Sequence, residues 1–265
     1  MTRSLYDLDP GELEALVAEA GEPPYRARQL AHWLDRRRQP DPGAMTNLPR
    51  SLRARLTERF AGAGLTLDLH QAGDDDWTHK FLFRLPGGDA VESVLMLYPG
   101  RATVCISSQA GCAMGCTFCA TGQFGFTRHL SAGEIVEQVA RVSTLLPELR
   151  PGPGAPDHLT NVVFMGMGEP FANSDATWGA AYRLHRGFGL SARAITISTV
   201  GLVPGIRRAA AEPLPVNLAV SIHAASGVPV SVRDNRGVGI DAACGQLRTA
   251  AGRPGRKVLP LAEQG

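Results

Sequence analysis

The sequence predicts an α/β fold, a parallel βα series behind a small N-terminal helical domain. Three observations carry this. From Ala102 onward, strand-like and helix-like segments alternate. Before residue 62, apolar residues recur at helical spacing behind start signals. Between the two lie a pair of strand-like runs around Pro86-Gly87-Gly88-Asp89, a hairpin signal.

Taken in order, Asp9-Pro10-Gly11-Glu12 offers an N-cap, a proline at the first helical position and a capping-box acid, with Leu13, Leu16 and Val17 following at helical spacing. Gly21 ends that helix. Pro24 opens a second, with Leu30, Trp33 and Leu34 on one face, and Leu48 to Phe60 reads as a third. Residues 1–62 form the helical domain and 63–100 a β-hairpin linking it to the core. The core, 101–225, reads as strand Thr103–Ser107, helix Ser131–Leu146, strand Asn161–Met165, helix Asp175–Arg186, strand Ala194–Ser198, helix Val203–Ala211 and strand Val216–Ser221. Residues 226–265 form a tail. In parallel α/β sheets, ligands gather at the carboxyl ends of the strands, so residues just after each strand are the first candidates for a site.

A chain of 265 residues can bury one sizeable core with a small appendage. At 44% hydrophobic and 20% charged it is no disordered chain. No apolar run approaches the ~20 residues that span a bilayer, and the start of the chain reads as an amphipathic helix rather than a signal peptide. The expected location is therefore the cytoplasm, with no membrane partner. Net charge is only +2, but residues 21–60 carry nine arginines against four acidic residues, a local excess able to meet phosphates or simply to face water.

Three of the five cysteines crowd into Cys112-Ala-Met-Gly-Cys116-Thr-Phe-Cys119, behind a strand and inside a Gly-containing loop. Such crowding suits metal-binding thiolates in a reducing compartment better than a secreted disulfide framework. Three soft thiolates wrap one metal centre. A closed zinc site or an all-cysteine cluster would take a fourth ligand, which Cys105 or Cys244 could supply, whereas a three-thiolate [4Fe–4S] cluster leaves one iron open.

The C-x3-C-x2-C spacing, with Phe118 between the last two cysteines, resembles the radical S-adenosylmethionine (SAM) superfamily. Phe164-Met-Gly-Met-Gly168-Glu169-Pro170 resembles that superfamily's glycine-rich stretch, in which bare backbone and a carboxylate meet the methionyl amino group. Ser198, and Ser221-Ile222-His223 at the next strand end, would line the same mouth. Read with Cys105-Ile-Ser-Ser-Gln-Ala-Gly-Cys112 and the Cys244-Gly-Gln-Leu tail, these motifs are similar to the RlmN family of RNA adenine-C2 methyltransferases.

That resemblance implies a partial, incomplete TIM-like radical SAM barrel, with residues 1–62 as an RNA-binding accessory domain. It implies a [4Fe–4S] cluster on Cys112, Cys116 and Cys119, with SAM held by Gly168, Glu169, Ser198, Ser221, Ile222 and His223. Two SAM molecules serve each turnover. The first methylates Cys244; the second yields a radical that takes hydrogen from the S-methyl group, whose carbon then adds to adenine C2. Cys105 frees the product by a disulfide with Cys244. The family's proton acceptor corresponds to Glu92, a carboxylate held in an apolar strand, with Cys105 or water as alternative acceptors; the competing reading of Glu92 is an exposed residue of an alternating strand. Substrates would be 23S rRNA and tRNA, the reductant a protein such as flavodoxin, and the state monomeric. Related chemistry at adenine C8, of the Cfr type, uses the same cysteines.

One departure accompanies the resemblance. Up to Ala225 the sequence is similar to the middle of the family's barrel, and by about Val232 to its C-terminal tail. The last βα units, and an asparagine the family uses on SAM, are expected to be missing, which makes an inactive internal-deletion product a further alternative.

Overall fold

Residues 3–116 and 119–221 are described in the computed structural model; Ile222, His223 and Cys244 lie outside the described residues. The N-terminal unit holds α1 (Pro10–Glu19), α2 (Tyr25–Asp35) and α3 (Arg50–Arg59). The predicted capping box is present: Asp9 Oδ1 accepts from Glu12 N at 2.8 Å, and Glu12 Oε2 accepts from Asp9 N at 2.9 Å. Leu30 and Leu34 of α2 and Leu52 and Leu56 of α3 are buried on the inner faces.

Nine strands follow among the described residues: β1 (Thr66–Ala72), β2 (Thr78–Arg84), β3 (Ala90–Tyr98), β4 (Arg101–Cys105), β5 (Gln109–Gly111), β6 (Phe126–His129), β7 (Asn161–Phe164), β8 (Ile195–Thr199) and β9 (Asn217–Val220). Seven form one sheet in the order β1-β2-β3-β4-β7-β8-β9. Strands β1 to β4 pair antiparallel, and β4, β7, β8 and β9 pair parallel. Residues 63–100 are thus three strands continuous with the core sheet, where the sequence predicts a two-stranded linker. Strand β1 carries only half-buried or exposed side chains, so its apolar signal is weak.

The crossovers pass through α5 (Ala132–Leu145), α6 (Ser174–Arg186) and α7 (Val203–Ala211). The parallel strands advance in chain order without reversing, so right-handed crossovers place all three helices on one face. The other face is left as a concave interior, the geometry of a partial TIM-like barrel. Val162, Phe164, Ile195 and Ile197 pack on the helix side and are buried. The predicted Ser131–Glu134 capping box fixes the start of α5, with Glu134 N donating to Ser131 Oγ at 3.1 Å.

The helical unit is docked by polar contacts as well as by its apolar core. Arg183 Nε of α6 binds Asp35 Oδ1 at 2.9 Å and its guanidinium also donates to Tyr6 O, while Gly133 N donates to Asp7 Oδ1 at 3.0 Å. Glycine is required at 133, because a Cβ there would lie 2.4 Å from Asp7 Oδ1. Among the described residues, no helix is long and apolar enough to cross a membrane.

Candidate active site at the strand ends

The three-cysteine loop leaves the sheet at the carboxyl end of β4 and is pinned at its stem. Strands β5 and β6 form a small antiparallel ladder, Gln109 opposite His129 and Ala110 opposite Arg128. Gly111 has φ +78°, and a Cβ there would stand 1.9 Å from Gly125 O, so only glycine lets the two arms approach. Within the loop Cys112 N donates to Gly125 O at 3.0 Å and Cys119 N to Cys116 O at 3.1 Å. A short helix α4 (Ala120–Gln123) follows directly. Cys112, Cys116 and Cys119 are all partly exposed, and none of the four described cysteines is in a disulfide. Among the described residues no three His, Cys, Asp or Glu side chains converge into a metal-binding group. Burial pushes the Cys112 thiol up, and the neighbouring Cys119, Cys116 and Glu169 add to the effect.

The Gly-Glu-Pro turn after β7 packs directly behind that loop. Gly166 and Gly168 are demanded by the protein's own packing: a Cβ on Gly166 would lie 2.6 Å from Ile106 O, and one on Gly168, at φ +97°, 2.5 Å from Gln109 Cβ. Glu169 is 2% exposed. Its Oε1 accepts from Phe171 N at 3.0 Å and its Oε2 from Val200 N at 2.9 Å, so the carboxylate joins the ends of β7 and β8. The sequence reading, a carboxylate awaiting a ligand's ammonium, meets a carboxylate that also holds two backbone amides. Ser198 Oγ donates to Phe164 O at 2.6 Å, on the concave side. Ser221 is exposed at the end of β9, its amide bonded to Thr199 O at 2.9 Å.

Cys105 ends β4 and is 7% exposed. Its register partners are Val94 on β3 and Val163 on β7, so it lies on the concave face. Two residues along β3, and on that same face, stands Glu92. It is 2% exposed, which removes the reading as a solvent-facing strand residue, yet it is not alone among apolar groups. Lys80 Nζ on β2 lies 2.9 Å from Glu92 Oε2, with both side chains sealed from solvent. The sequence predicts a carboxylate held among apolar strand residues; the structure pairs it with Lys80. Ser107 then ties the strands together, its Oγ donating to Glu92 O at 2.6 Å and accepting from Met167 N at 2.9 Å, while Gln138 of α5 holds its amide and carbonyl.

Lys80, Gln109 and Ser107 escape a reading by periodicity, because their roles rest on partners far along the chain. The arginine excess of residues 21–60 also changes meaning. Arg36 donates to Arg186 O, Arg38 to Phe188 O, Arg53 to Gly43 O and Arg55 to Ala20 O, and Arg59 pairs with Glu19. Arg28 and Arg50 are exposed without a side-chain partner among the described residues.

The family described as "Ribosomal RNA large subunit methyltransferase N-terminal domain" matches residues 3–61. A protein of Chloroflexus aurantiacus named as a probable dual-specificity RNA methyltransferase RlmN is 53% identical over 226 residues, which cover 84% of this chain and 59% of that protein. This chain belongs to the RlmN family. A like-named protein of Streptomyces griseus is 47% identical across 91% of this chain and 68% of its own length. The crystal structure of a radical SAM methyltransferase from Sphaerobacter thermophilus superposes with a TM-score of 0.76 at 50% identity, covering 84% of this chain and 64% of that one. The chain spans about 59–63% of the length of the first such RlmN relatives. For an RlmN-family chain the donor set at Cys112, Cys116 and Cys119 is of the right kind: three thiols, soft ligands suited to iron–sulfur, at one pinned loop beside an open strand-end surface.

Proposed function

We propose that the chain is a radical SAM RNA methyltransferase that methylates C2 of adenosine in 23S rRNA and tRNA, with Cys244 carrying the methyl group as an S-methyl thioether. The observation that carries this reading is one juxtaposition. The three-cysteine loop stands at the carboxyl end of the first parallel strand, and that strand's last residue, the buried Cys105, faces the concave side with Glu92.

Adenine C2 is electron-poor and does not attack a sulfonium methyl, so the bound [4Fe–4S] cluster and SAM, two SAM per turnover, would supply radical chemistry and the methyl group. Cys112, Cys116 and Cys119 hold the cluster by their thiolates. Glu169, Gly168, Ser198 and Ser221 would form the adjoining wall for SAM; Ile222 and His223, outside the described residues, are assigned to SAM by the family resemblance. Glu92 takes the C2 proton. Lys80 orients its carboxylate through the buried ion pair, and the strand backbone fixes it through Ser107. Cys105 supplies the second thiol of the relay. An electron donor of the flavodoxin type, a monomeric state and a cytoplasmic location complete the reading.

Reconstituted full-length protein with SAM and a reductant should release 5′-deoxyadenosine, and Cys112→Ala should abolish both the release and the visible iron–sulfur absorbance. Zinc in stoichiometric amount without that absorbance would refute the cluster. Mass spectrometry of the RNA product should give 2-methyladenosine; 8-methyladenosine alone would move the chemistry to the Cfr type. The exposure of β9 among the described residues favours a second reading, that of a shortened, inactive chain, since Leu218 and Val220 are 43% and 46% exposed. Absent deoxyadenosine with a loaded cluster would select it.

A further inference from the structure

We propose that Gln109 is a positioning residue that clamps the cysteine loop to the Gly-Glu-Pro turn, so that cluster and SAM are presented to one another; this rests on the function proposed above. Gln109 is 1% exposed and lies on β5, in the stem of the loop. Its Oε1 accepts from Glu169 N at 2.8 Å, and its Nε2 lies 3.0 Å from His129 Nδ1 on β6. Its own amide donates to Met167 O at 3.2 Å.

The chemistry fixes the orientation of the side-chain amide. Glu169 N can only donate, so the Gln109 oxygen must face it and the NH2 must face His129. His129 Nδ1 therefore accepts, which is the Nε2–H tautomer of neutral imidazole. A continuous path results: His129 to Gln109, Gln109 to the Glu169 amide, and the Glu169 carboxylate to Val200 N. It spans the loop stem and the ends of β7 and β8. Asn173 braces the same stem, its Nδ2 donating to Ser108 O at 2.9 Å and Leu130 O at 2.7 Å. None of these side chains is a thiol ligand, so the clamp sets where the loop sits rather than what it binds.

Arg128 is held by Glu134 at 2.7 Å and by Asp89 at 3.4 Å, which leaves His129 with Gln109 as its polar partner.

The test compares wild type, Gln109→Leu and Gln109→Glu as full chains. In the metal-free protein, Gln109→Leu should speed amide exchange at both 126–130 and 168–171, since both ends of the clamp are released. In the reconstituted protein it should keep its iron content but weaken SAM binding at least about tenfold, as leaving one buried amide without an acceptor predicts. In Gln109→Glu the new carboxylate still accepts from Glu169 N and can accept from either a neutral Nδ1–H tautomer or the imidazolium. SAM affinity should therefore be restored. Exchange altered only next to position 109, SAM affinity unchanged in Gln109→Leu, or no recovery of SAM affinity in Gln109→Glu would each overturn the clamp. Wild type that loads no iron and binds no SAM would sink the proposed function, while the exchange comparison would still judge the clamp.

Discussion

Strands β2 and β3 bury both of their faces, whereas β7 and β8 bury one. Thr78 through Phe83 are all buried, and so are Ala90 through Leu95; on β7 and β8 buried residues alternate with half-buried ones. The usual expectation runs the other way, with parallel strands covered on both sides and antiparallel ones free to leave a face wet. The reversal locates the working space. On the antiparallel side the concave face is sealed by Lys80, Leu82 and Glu92, and on the parallel side Val163, Met165, Thr196 and Ser198 leave it half open. A ligand held at the strand ends would extend over β7 to β9, with Cys105 at the boundary between the filled and the open halves.

The largest expected effect breaks the sealed side. Lys80→Met leaves the Glu92 carboxylate buried without its cation and should cost about 3–5 kcal/mol in denaturant unfolding. Replacing both partners, Lys80→Met with Glu92→Leu, should recover most of that loss, because a buried pair is offset by its own desolvation. Equal losses in the single and double variants would mean that the pair is not what holds this half closed.

Next in size is a comparison of neighbours on β8. Ile197 is fully buried on the helix side, and Ile197→Ala should cost about 2–4 kcal/mol. Ser198, one residue on, faces the open side and bonds Phe164 O. Ser198→Ala should cost about 1 kcal/mol or less in stability and appear mainly in SAM affinity. A large stability loss with unchanged SAM binding would assign Ser198 to the scaffold instead.

Acid sensitivity belongs to the antiparallel margin. His70 of β1 stacks on Phe81 at 4.9 Å and on His79 at 5.3 Å, and burial followed by the charge of His79 lowers its pKa from 6.5 to about 4. The unfolded chain therefore binds more protons between those values, and stability should fall as pH drops from about 6.5 to 4. Burial lowers the pKa of His79 as well, with the same sign. Glu137, raised by burial, acts oppositely, favouring the folded state in acid and losing that contribution as pH rises through its folded value. His70→Phe keeps the stacking and should flatten the acid limb by about 1 kcal/mol, allowing for the solvent contact that His70 retains. An unchanged limb would move the effect to other groups.

Much of this architecture is legible in local sequence because local rules decide it. Asp9 with Glu12 and Ser131 with Glu134 cap the helices they announce, Pro86–Asp89 turns the hairpin, and α7 begins and ends where its pattern does. What local reading misses is set at a distance. The β5–β6 ladder is three and four residues long and depends on Gly111 approaching Gly125 across the cysteine loop. Lys80 lies in an apolar run whose charge only makes sense beside Glu92, and Gln109 reaches Glu169 sixty positions away. The cysteine spacing shows which residues could bind metal, but not that the neighbouring glutamate also holds two strand ends.

The smallest expected effect lies at the open margin. Leu218 on β9 is 43% exposed, beside Val200, Val203 and Val220, each more than 40% exposed. No charged residue interrupts Asn217 to Val220, so the strand lacks the features that usually blunt a sheet edge. Leu218→Lys should therefore change stability by no more than about 0.5 kcal/mol while raising the concentration at which the chain stays dispersed. The same measurement gauges how the barrel is finished. If the variant lost more than about 2 kcal/mol, as burying an unpaired charge would require, the helix-side face of β9, on which Leu218 lies beside Ile197, would not be an open edge.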